Sequence, residues 1–306
     1  GGAEARARPR ADPRQGRGRD RQPGGRGGAG GPLPDAQAAA QDPRLGRPGV
    51  VEQTGAEVTS VEIGERVAFS GLGIGSEGSY AEYAVIAETQ VVHLPEELSF
   101  TDAAAIGMAF PAAYYALVTR GALREGETVL VQGAAGGVGS ASVQLAKALG
   151  ARVLATASGP DAADLVLSLG AEAVIDFRTE DVPERVLELT GGRGVDLIHE
   201  LVLSANLPMD VGMVAKGGRI IGTGQGPGPD ATVPIGAAIA KDASVLFMNL
   251  NNAGRAGVAA IATEVADMVV AGKVRPVIGA ELPLAEARRA HEMLARSHLG
   301  KIVLLP

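Results

Sequence analysis

Gly133-Ala134-Ala135-Gly136-Gly137-Val138-Gly139-Ser140 is the stretch whose reading decides the fold. It follows the apolar run Thr128-Val129-Leu130-Val131-Gln132 and opens a helical segment over 140–149, closed by Gly150. A strand that turns this way into a helix presents backbone N–H groups at the helix N-terminus with no side chain in front of them, which is what a pyrophosphate requires. Gly133, Gly136, Gly137 and Gly139 permit the tight turn and the close approach, and Gly139 also lets the helix pack on the strand. Inside a βαβ unit such a run reads as a dinucleotide cradle; the alternative is a bare structural turn.

Working outward, strands and helices alternate strictly. Arg152-Val153-Leu154-Ala155-Thr156 is a second strand, 162–169 a helix ended by Gly170, Ala173-Val174-Ile175-Asp176 a third strand and 182–190 a third helix. Val195-Asp196-Leu197-Ile198 and Arg219-Ile220-Ile221-Gly222 add two strands. This predicts an α/β fold with a doubly wound parallel sheet of the Rossmann type. Upstream, Val50-Val51-Glu52 and residues 58–67 alternate apolar and polar as half-buried strands do, and Gly64-Glu65-Arg66-Val67-Ala68 reads as a turn into a strand. Residues 78–85 read as another turn and strand, so this portion is expected to be a small β module. Residues 102–121 are Ala-rich and helical, capped by Ser99 or Thr101 and ended by Gly121. The tail over 277–306 reads as two short strands around a helix at 284–296, returning to the first module. The predicted divisions are 1–48, 49–122, 123–265 and 266–306.

Composition bounds the function. The 306 residues carry net charge −7, with no Cys, no Trp and 3% aromatics. Without Cys there are no disulfides, Cys-zinc sites, Cys nucleophiles or iron–sulfur clusters, which fits a reducing cytoplasm. No run approaches the roughly 20 apolar residues of a membrane span. The scarcity of aromatics argues against a base-stacking nucleic-acid surface. Residues 1–47 hold ten Arg against five acids, a net +5, and 36 of these 47 positions are Gly, Arg, Pro or Ala. With Leu33 and Leu45 as its only large apolar residues, the segment offers no face to bury and is expected to be disordered. Three readings stay open for 1–48: a basic tail whose Gly24-Gly25-Arg26-Gly27-Gly28 resembles an RNA-binding stretch, a solvated linker, or a GC-rich gene translated out of frame.

The end of the second strand selects the cofactor. An NAD site places Asp or Glu about 20 residues past the glycines to bond the ribose 2′-hydroxyl. Here the positions are Ala157-Ser158-Gly159, and the nearest acid in sequence is Asp161. A 2′-phosphate is then not repelled, Ser158 can donate to it, and Arg178 can pair with it. NADPH is the expected cofactor; the bland alternative makes Arg178 a surface charge.

The ordered set Gly64-Glu65-Arg66-Val67, Gly78-Ser79-Tyr80-Ala81-Glu82-Tyr83, Ala104-Ala105-Ile106-Gly107, the 133–139 turn, Ile175-Asp176-Phe177-Arg178, Gly217-Gly218-Arg219 and Gly300-Lys301-Ile302-Val303 resembles the zinc-independent, zeta-crystallin-like quinone oxidoreductases of the medium-chain dehydrogenase/reductase superfamily. The resemblance covers residues 49–306. It implies a GroES-like β domain, a Rossmann domain and a C-terminal return, with NADPH-dependent reduction of a quinone or enone. It places the pyrophosphate over Ala135, Gly136, Gly137 and Val138, and Ser158, Phe177 and Arg178 at the 2′-phosphate. Phe247 and Asn249, in Leu246-Phe247-Met248-Asn249, fall beside the nicotinamide or on a subunit-interface strand. It also implies a homodimer or homotetramer and no metal; His93, His199, His291 and His298 are scattered and not at ligand spacing. Three positions depart from the family: Ala162 replaces a Lys, Phe177 a Tyr and Ala112 a Thr, which weakens specific contacts. The family's first strands are not recognisable in 1–48, so the β domain is expected to be incomplete.

No catalytic residue is assigned. Tyr80 and Tyr114 are the candidates, with Tyr83 and Tyr115 as neighbours that read equally well as core, and Met108 and Phe110 as an apolar wall for a planar acceptor. The competing functions are an enoyl-thioester reductase and a non-catalytic NADPH- or RNA-binding relative.

Overall fold

A computed structural model describes residues 4–7, 45–70, 80–294 and 298–306. Strands β1 (Glu4–Ala7), β2 (Leu45–Thr54), β3 (Arg66–Ser70), β4 (Ala84–Ala87) and β5 (Val91–His93) form an antiparallel sheet in the order β4-β1-β2-β3-β5. Two features depart from the sequence reading. The strand β1 and the start of β2 lie inside the 1–48 segment. The backbone of β1 is paired on both sides, by β2 and β4, so its ladder comes from distant partners and not from its own composition. Residues 8–44, the body of that segment, lie outside the described residues.

The strand expected over 58–67 begins only at Arg66. Before it, Glu88 takes the N–H groups of Thr59 at 2.7 Å and Ser60 at 2.5 Å, and Val58 and Glu65 close turns onto Gly55 and Glu62. These bonds divert the backbone from a ladder despite the alternating pattern. Gly64, at φ +95°, then turns the chain into β3. Of the strand expected within 78–85, residues 71–79 lie outside the described residues, and β4 begins at Ala84.

The Ala-rich helix at 102–121 is two helices, α1 (Phe100–Ile106) and α2 (Ala109–Tyr114), followed by a π-helical stretch over Tyr115–Arg120. Ser99 is the cap, its hydroxyl accepting from the Asp102 N–H at 3.0 Å. Gly121 ends the stretch where a Cβ would meet the Leu117 carbonyl oxygen and Leu197 Cδ1, both at 2.7 Å.

Six strands then form a parallel sheet: β6 (Thr128–Val131), β7 (Arg152–Ala157), β8 (Ala173–Asp176), β9 (Val195–Glu200), β10 (Val214–Gly222) and β11 (Ser244–Phe247). Their order is β11-β10-β9-β6-β7-β8, every neighbouring pair parallel. The chain winds outward from β6 to β8 and from β9 to β11, so the topological switch lies between β6 and β9. Helices α3 (Gly137–Ala148), α4 (Pro160–Ser168), α5 (Val182–Leu189), α6 (Leu203–Met213), α7 (Ile235–Ala240) and α8 (Gly254–Val270) complete the Rossmann portion. On one sheet face Val129, Val131, Leu197 and Ile221 pack against α3, α4 and α8. On the other, Leu130, Leu154, Ile198 and Ile220 pack against α5 and α6.

The first face is continuous with the β module: Ala68, Val92 and Leu94 share its core with Ile106, Phe110 and Leu117. The boundary expected at 265/266 therefore falls inside α8, whose Val265 and Ala266 are part of this shared core. Strands β12 (Ile278–Pro283) and β13 (Lys301–Leu305) pair in parallel around α9 (Ala287–Leu294), and Gly300 bridges to Gly136 of the glycine turn.

Candidate active site

The glycine turn sits at the carboxyl ends of the strands, beside the switch between β6 and β9, where open α/β sheets bind ligands. Gly133 takes φ +64° and donates its N–H to Thr156 Oγ1 at 3.0 Å, while the Ala134 N–H donates to the Thr156 carbonyl at 2.8 Å. The turn is thereby tied to the end of β7. A Cβ on Gly139 would meet Ala134 Cα at 2.7 Å as well as the Gly133 carbonyl, so the turn closes only because that atom is absent. Gly136 caps α3, and a Cβ there would meet nothing nearer than the Gly133 oxygen at 3.7 Å. The first N–H groups of α3, on Gly137, Val138 and Gly139, have no carbonyl one turn back to receive them. A side-chain-free surface with outward N–H groups at a helix N-terminus suits a pyrophosphate.

The C-terminal segment closes over this turn. The Gly300 N–H donates to the Ala135 carbonyl at 3.0 Å, and the Lys301 side chain lies where a Cβ on Gly137 would be, 2.6 Å from it. Sequence reading used Gly300-Lys301 only as part of a resemblance. Nothing local shows that the last strand brings a lysine side chain to a helix 164 positions away.

The expected 2′-phosphate residues are brought together at the ends of β7 and β8. The Phe177 N–H donates to the Ala157 carbonyl at 3.3 Å, with Ser158 half-buried and Phe177 and Arg178 exposed beside it. One feature corrects the reading by sequence spacing. An acid does stand at this turn: Asp176, from β8, accepts from the Gly159 N–H at 3.1 Å and from the Arg178 N–H at 3.0 Å. Those two bonds, with the Arg178 charge, hold its carboxyl below the usual range. A search for an acid on the second strand misses it because it arrives from the third.

Phe247 and Asn249 do not share a direction. Phe247 is exposed on the edge strand, and Asn249 Oδ1 accepts from the Asn251 N–H at 3.0 Å, starting a 3-10 turn. Met248 lies between them and packs in an apolar cluster with Met108, Ala112, Tyr115, Val138 and Leu250. This cluster joins the cofactor turn to the helix expected to face the acceptor, and Tyr115, not Tyr114, belongs to it. The Tyr114 hydroxyl donates to Glu264 Oε1 of α8 at 2.8 Å; burial and that carboxylate push its phenol up to about 12. Tyr80 packs its ring against His291 of α9, with centroids 5.8 Å apart, and Phe110 is buried in the shared core.

Beneath the turn lies a buried polar network. Thr156 Oγ1 donates to Gln132 Oε1 at 2.8 Å, and Gln132 Nε2 donates to Asp210 Oδ1 at 3.0 Å. Asp210 and Glu200 are both fully buried. Glu200 Oε1 accepts from the Val202 N–H and, at 3.2 Å, from Asn206 Nδ2. The remaining oxygens, Glu200 Oε2 and Asp210 Oδ2, are buried with no hydrogen-bond partner among the described residues. Burial first, then the Glu200 charge, raises the Asp210 carboxyl far above its ordinary value. On the opposite sheet face His199 is also fully buried, and desolvation pushes it down to about 4, so the imidazole is neutral.

The chain has no Cys, and among the described residues no three His, Asp or Glu side chains are grouped to hold a metal ion. His93 pairs with Glu65, His291 with Tyr80, and His199 with Ser142 and Thr223.

The profile of the Alcohol dehydrogenase GroES-like domain matches residues 46–96, and that of the Zinc-binding dehydrogenase family residues 137–266. A Pseudomonas aeruginosa quinone oxidoreductase is 37% identical over 264 residues, covering 84% of this chain and 80% of that protein. The human quinone oxidoreductase is 34% identical over 261 residues, covering 84% and 77%. The crystal structure of Escherichia coli quinone oxidoreductase complexed with NADPH superimposes with a TM-score of 0.78 at 28% identity, covering 85% of this chain and 80% of that one. The β module, the doubly wound sheet with its glycine turn and these matches agree: the chain belongs to the quinone oxidoreductase family of the medium-chain dehydrogenase/reductase superfamily.

Proposed function

We propose that the chain is an NADPH-dependent reductase of quinones or other conjugated carbonyl compounds, acting without zinc. The observation that carries this reading is the cradle at the start of α3, whose side-chain-free turn is faced by the Lys301 side chain. The outward N–H groups at that helix N-terminus suit a pyrophosphate. A relative crystallised with NADPH has the same fold.

When bound, the nicotinamide supplies a hydride to the electron-poor acceptor. The chain's residues bind and orient. Backbone N–H groups of Gly137, Val138 and Gly139 and the Lys301 ammonium hold the pyrophosphate. Ser158 and Arg178 take the 2′-phosphate with Phe177 alongside, opposed by the Asp176 carboxylate, so the preference for NADPH over NADH is modest. Met108, Ala112, Tyr115, Met248 and Leu250 form an apolar wall that keeps water from a planar acceptor. A quinone, NADPH and one proton give a hydroquinone and NADP⁺, the proton coming from solvent. The module of residues 45–122 and the tail of residues 271–306 frame the acceptor side. Exposed Phe247, Ile235 and Ile239 flank β11, the edge strand, and support a homodimer through that edge. The Cys-free composition suits a cytoplasmic location.

Titrating the protein with NADPH and NADH by nicotinamide fluorescence, then adding 1,4-benzoquinone and following loss of NADPH absorbance, tests this. Both nucleotides should bind, NADPH the more tightly, and the quinone should be reduced. Arg178→Ala should weaken NADPH by about tenfold and leave NADH unchanged. Failure to bind either nucleotide would remove the cradle reading; binding without oxidation would remove the reductase.

A further inference from the structure

The glycine turn leaves the sheet at Gly133, and backbone ladders pair only part of it. The Gln132 N–H goes to the His199 carbonyl of β9 at 3.0 Å, and the Ala134 N–H to the Thr156 carbonyl of β7 at 2.8 Å. Between them Gly133, at φ +64°, finds a side chain as its acceptor, Thr156 Oγ1 at 3.0 Å. The set of the turn therefore depends on where that hydroxyl points. A threonine hydroxyl has one hydrogen to give and lone pairs to accept with. Here the hydrogen goes to Gln132 Oε1 at 2.8 Å, which leaves a lone pair for Gly133. Gln132 shows its oxygen to Thr156 while its amide nitrogen is taken up on the other side, by Asp210 Oδ1 at 3.0 Å. A flipped amide would set its N–H group against Thr156 and its oxygen against the Asp210 oxygen. Gln132, Thr156 and Asp210 are all buried, so bulk water does not compete for these bonds.

Asp210 reaches this line from α6, which packs on the sheet face opposite α3. The helix start is tied to the end of β9: the Val202 N–H and, at 3.2 Å, Asn206 Nδ2 both donate to Glu200 Oε1. An acid is a costly choice for a fully buried position. Its second oxygen, Oδ2, has no hydrogen-bond partner, and burial raises its carboxyl far above the ordinary value. An apolar side chain would avoid that penalty. What it would not supply is an acceptor for Gln132 Nε2.

We propose that Asp210 is a positioning residue for the dinucleotide site: it holds the Gln132 amide in the orientation that aims a Thr156 lone pair at Gly133, and so sets the pyrophosphate turn from the opposite face of the sheet. The inference rests on the cofactor reading above and extends it to a fully buried residue 78 positions from its partner Gln132.

A double-mutant cycle tests this. NADPH affinity is measured by nicotinamide fluorescence for the parent, Asp210→Val, Thr156→Val and the double variant, with Asp210→Asn as the conservative control. Adenosine 2′-phosphate, which carries the 2′-phosphate and no pyrophosphate, is titrated alongside by calorimetry. Asp210→Val should bind NADPH about tenfold more weakly with adenosine 2′-phosphate unchanged. Asp210→Asn, whose side-chain oxygen accepts from Gln132 in the same way, should restore the parent affinity. Thr156→Val should lose about the same tenfold, and the double variant no more than either single one, because both changes cut one line of bonds. Losses that multiply to about a hundredfold, equal weakening of both ligands, no rescue by Asp210→Asn, or parent-like NADPH binding by Asp210→Val would overturn the assignment. Asp210→Ala replaces Asp210→Val in the cycle should the larger side chain prevent folding. If the parent protein did not bind NADPH, the cofactor reading itself would fall.

Discussion

Asp210→Asn should change how stability depends on pH, and the structure fixes both sign and slope. Asp210 is fully buried against Glu200, and its carboxyl is held protonated well above the value it has in an unfolded chain. A group whose folded-state pKa is raised contributes stability that is fully present below its unfolded pKa and is lost as pH rises toward the folded one. In that window the native state holds one proton that the unfolded state has released, which costs about 1.4 kcal/mol per pH unit. His199 is lowered, so its contribution has the opposite sign, but it is complete above its unfolded value of 6.5. The interval from about pH 6.5 to 8.5 therefore isolates Asp210, and the parent protein should lose about 2.7 kcal/mol across it. Asparagine keeps an acceptor for Gln132 Nε2 and offers Glu200 a permanent N–H donor, with no proton to lose. The difference in unfolding free energy between Asp210→Asn and parent should widen by that same amount in favour of the variant. Urea unfolding at three pH values and constant ionic strength, followed by circular dichroism because the chain has no Trp, measures it. Parallel pH dependences for the two proteins would refute the protonated Asp210.

Gly139→Ala places a methyl 2.7 Å from Ala134 Cα against rigid backbone and should cost about 2 kcal/mol of stability with weaker NADPH binding; unchanged melting and affinity would show that the turn relaxes freely. Tyr114→Phe deletes the bond to Glu264 and should lower stability by about 1 kcal/mol while leaving quinone turnover intact; a loss of kcat would restore this phenol to the catalytic candidates.

The sequence by itself determined the elements whose cause is local. Five of the six parallel strands, the helices α3, α4 and α5 and the glycine turn follow from period and glycine placement, which act within one or two turns of chain, while the cap stayed open between Ser99 and Thr101. Where local pattern met a distant partner, the partner won. Residues 58–65 alternate like a strand, but the Glu88 carboxylate captures their N–H groups. The Ala-rich run over 102–121 breaks at Gly107 and Met108 into two packed helices and a π-helical stretch. Helix α6 went unread because Pro208 interrupts its signal, and α8 because Ala and Val cover it all round.

The site divides the same way. The pyrophosphate turn is one contiguous motif, so spacing alone finds it. Around it lie pairs that sequence distance hides: Asp176 with Gly159, 17 positions apart; Ser142 with His199, 57 apart; Gln132 with Asp210, 78 apart; and Lys301 over Gly137. A parallel sheet brings the carboxyl ends of strands from across the chain to one edge, and only that convergence decides which buried polar groups meet beneath the glycine turn.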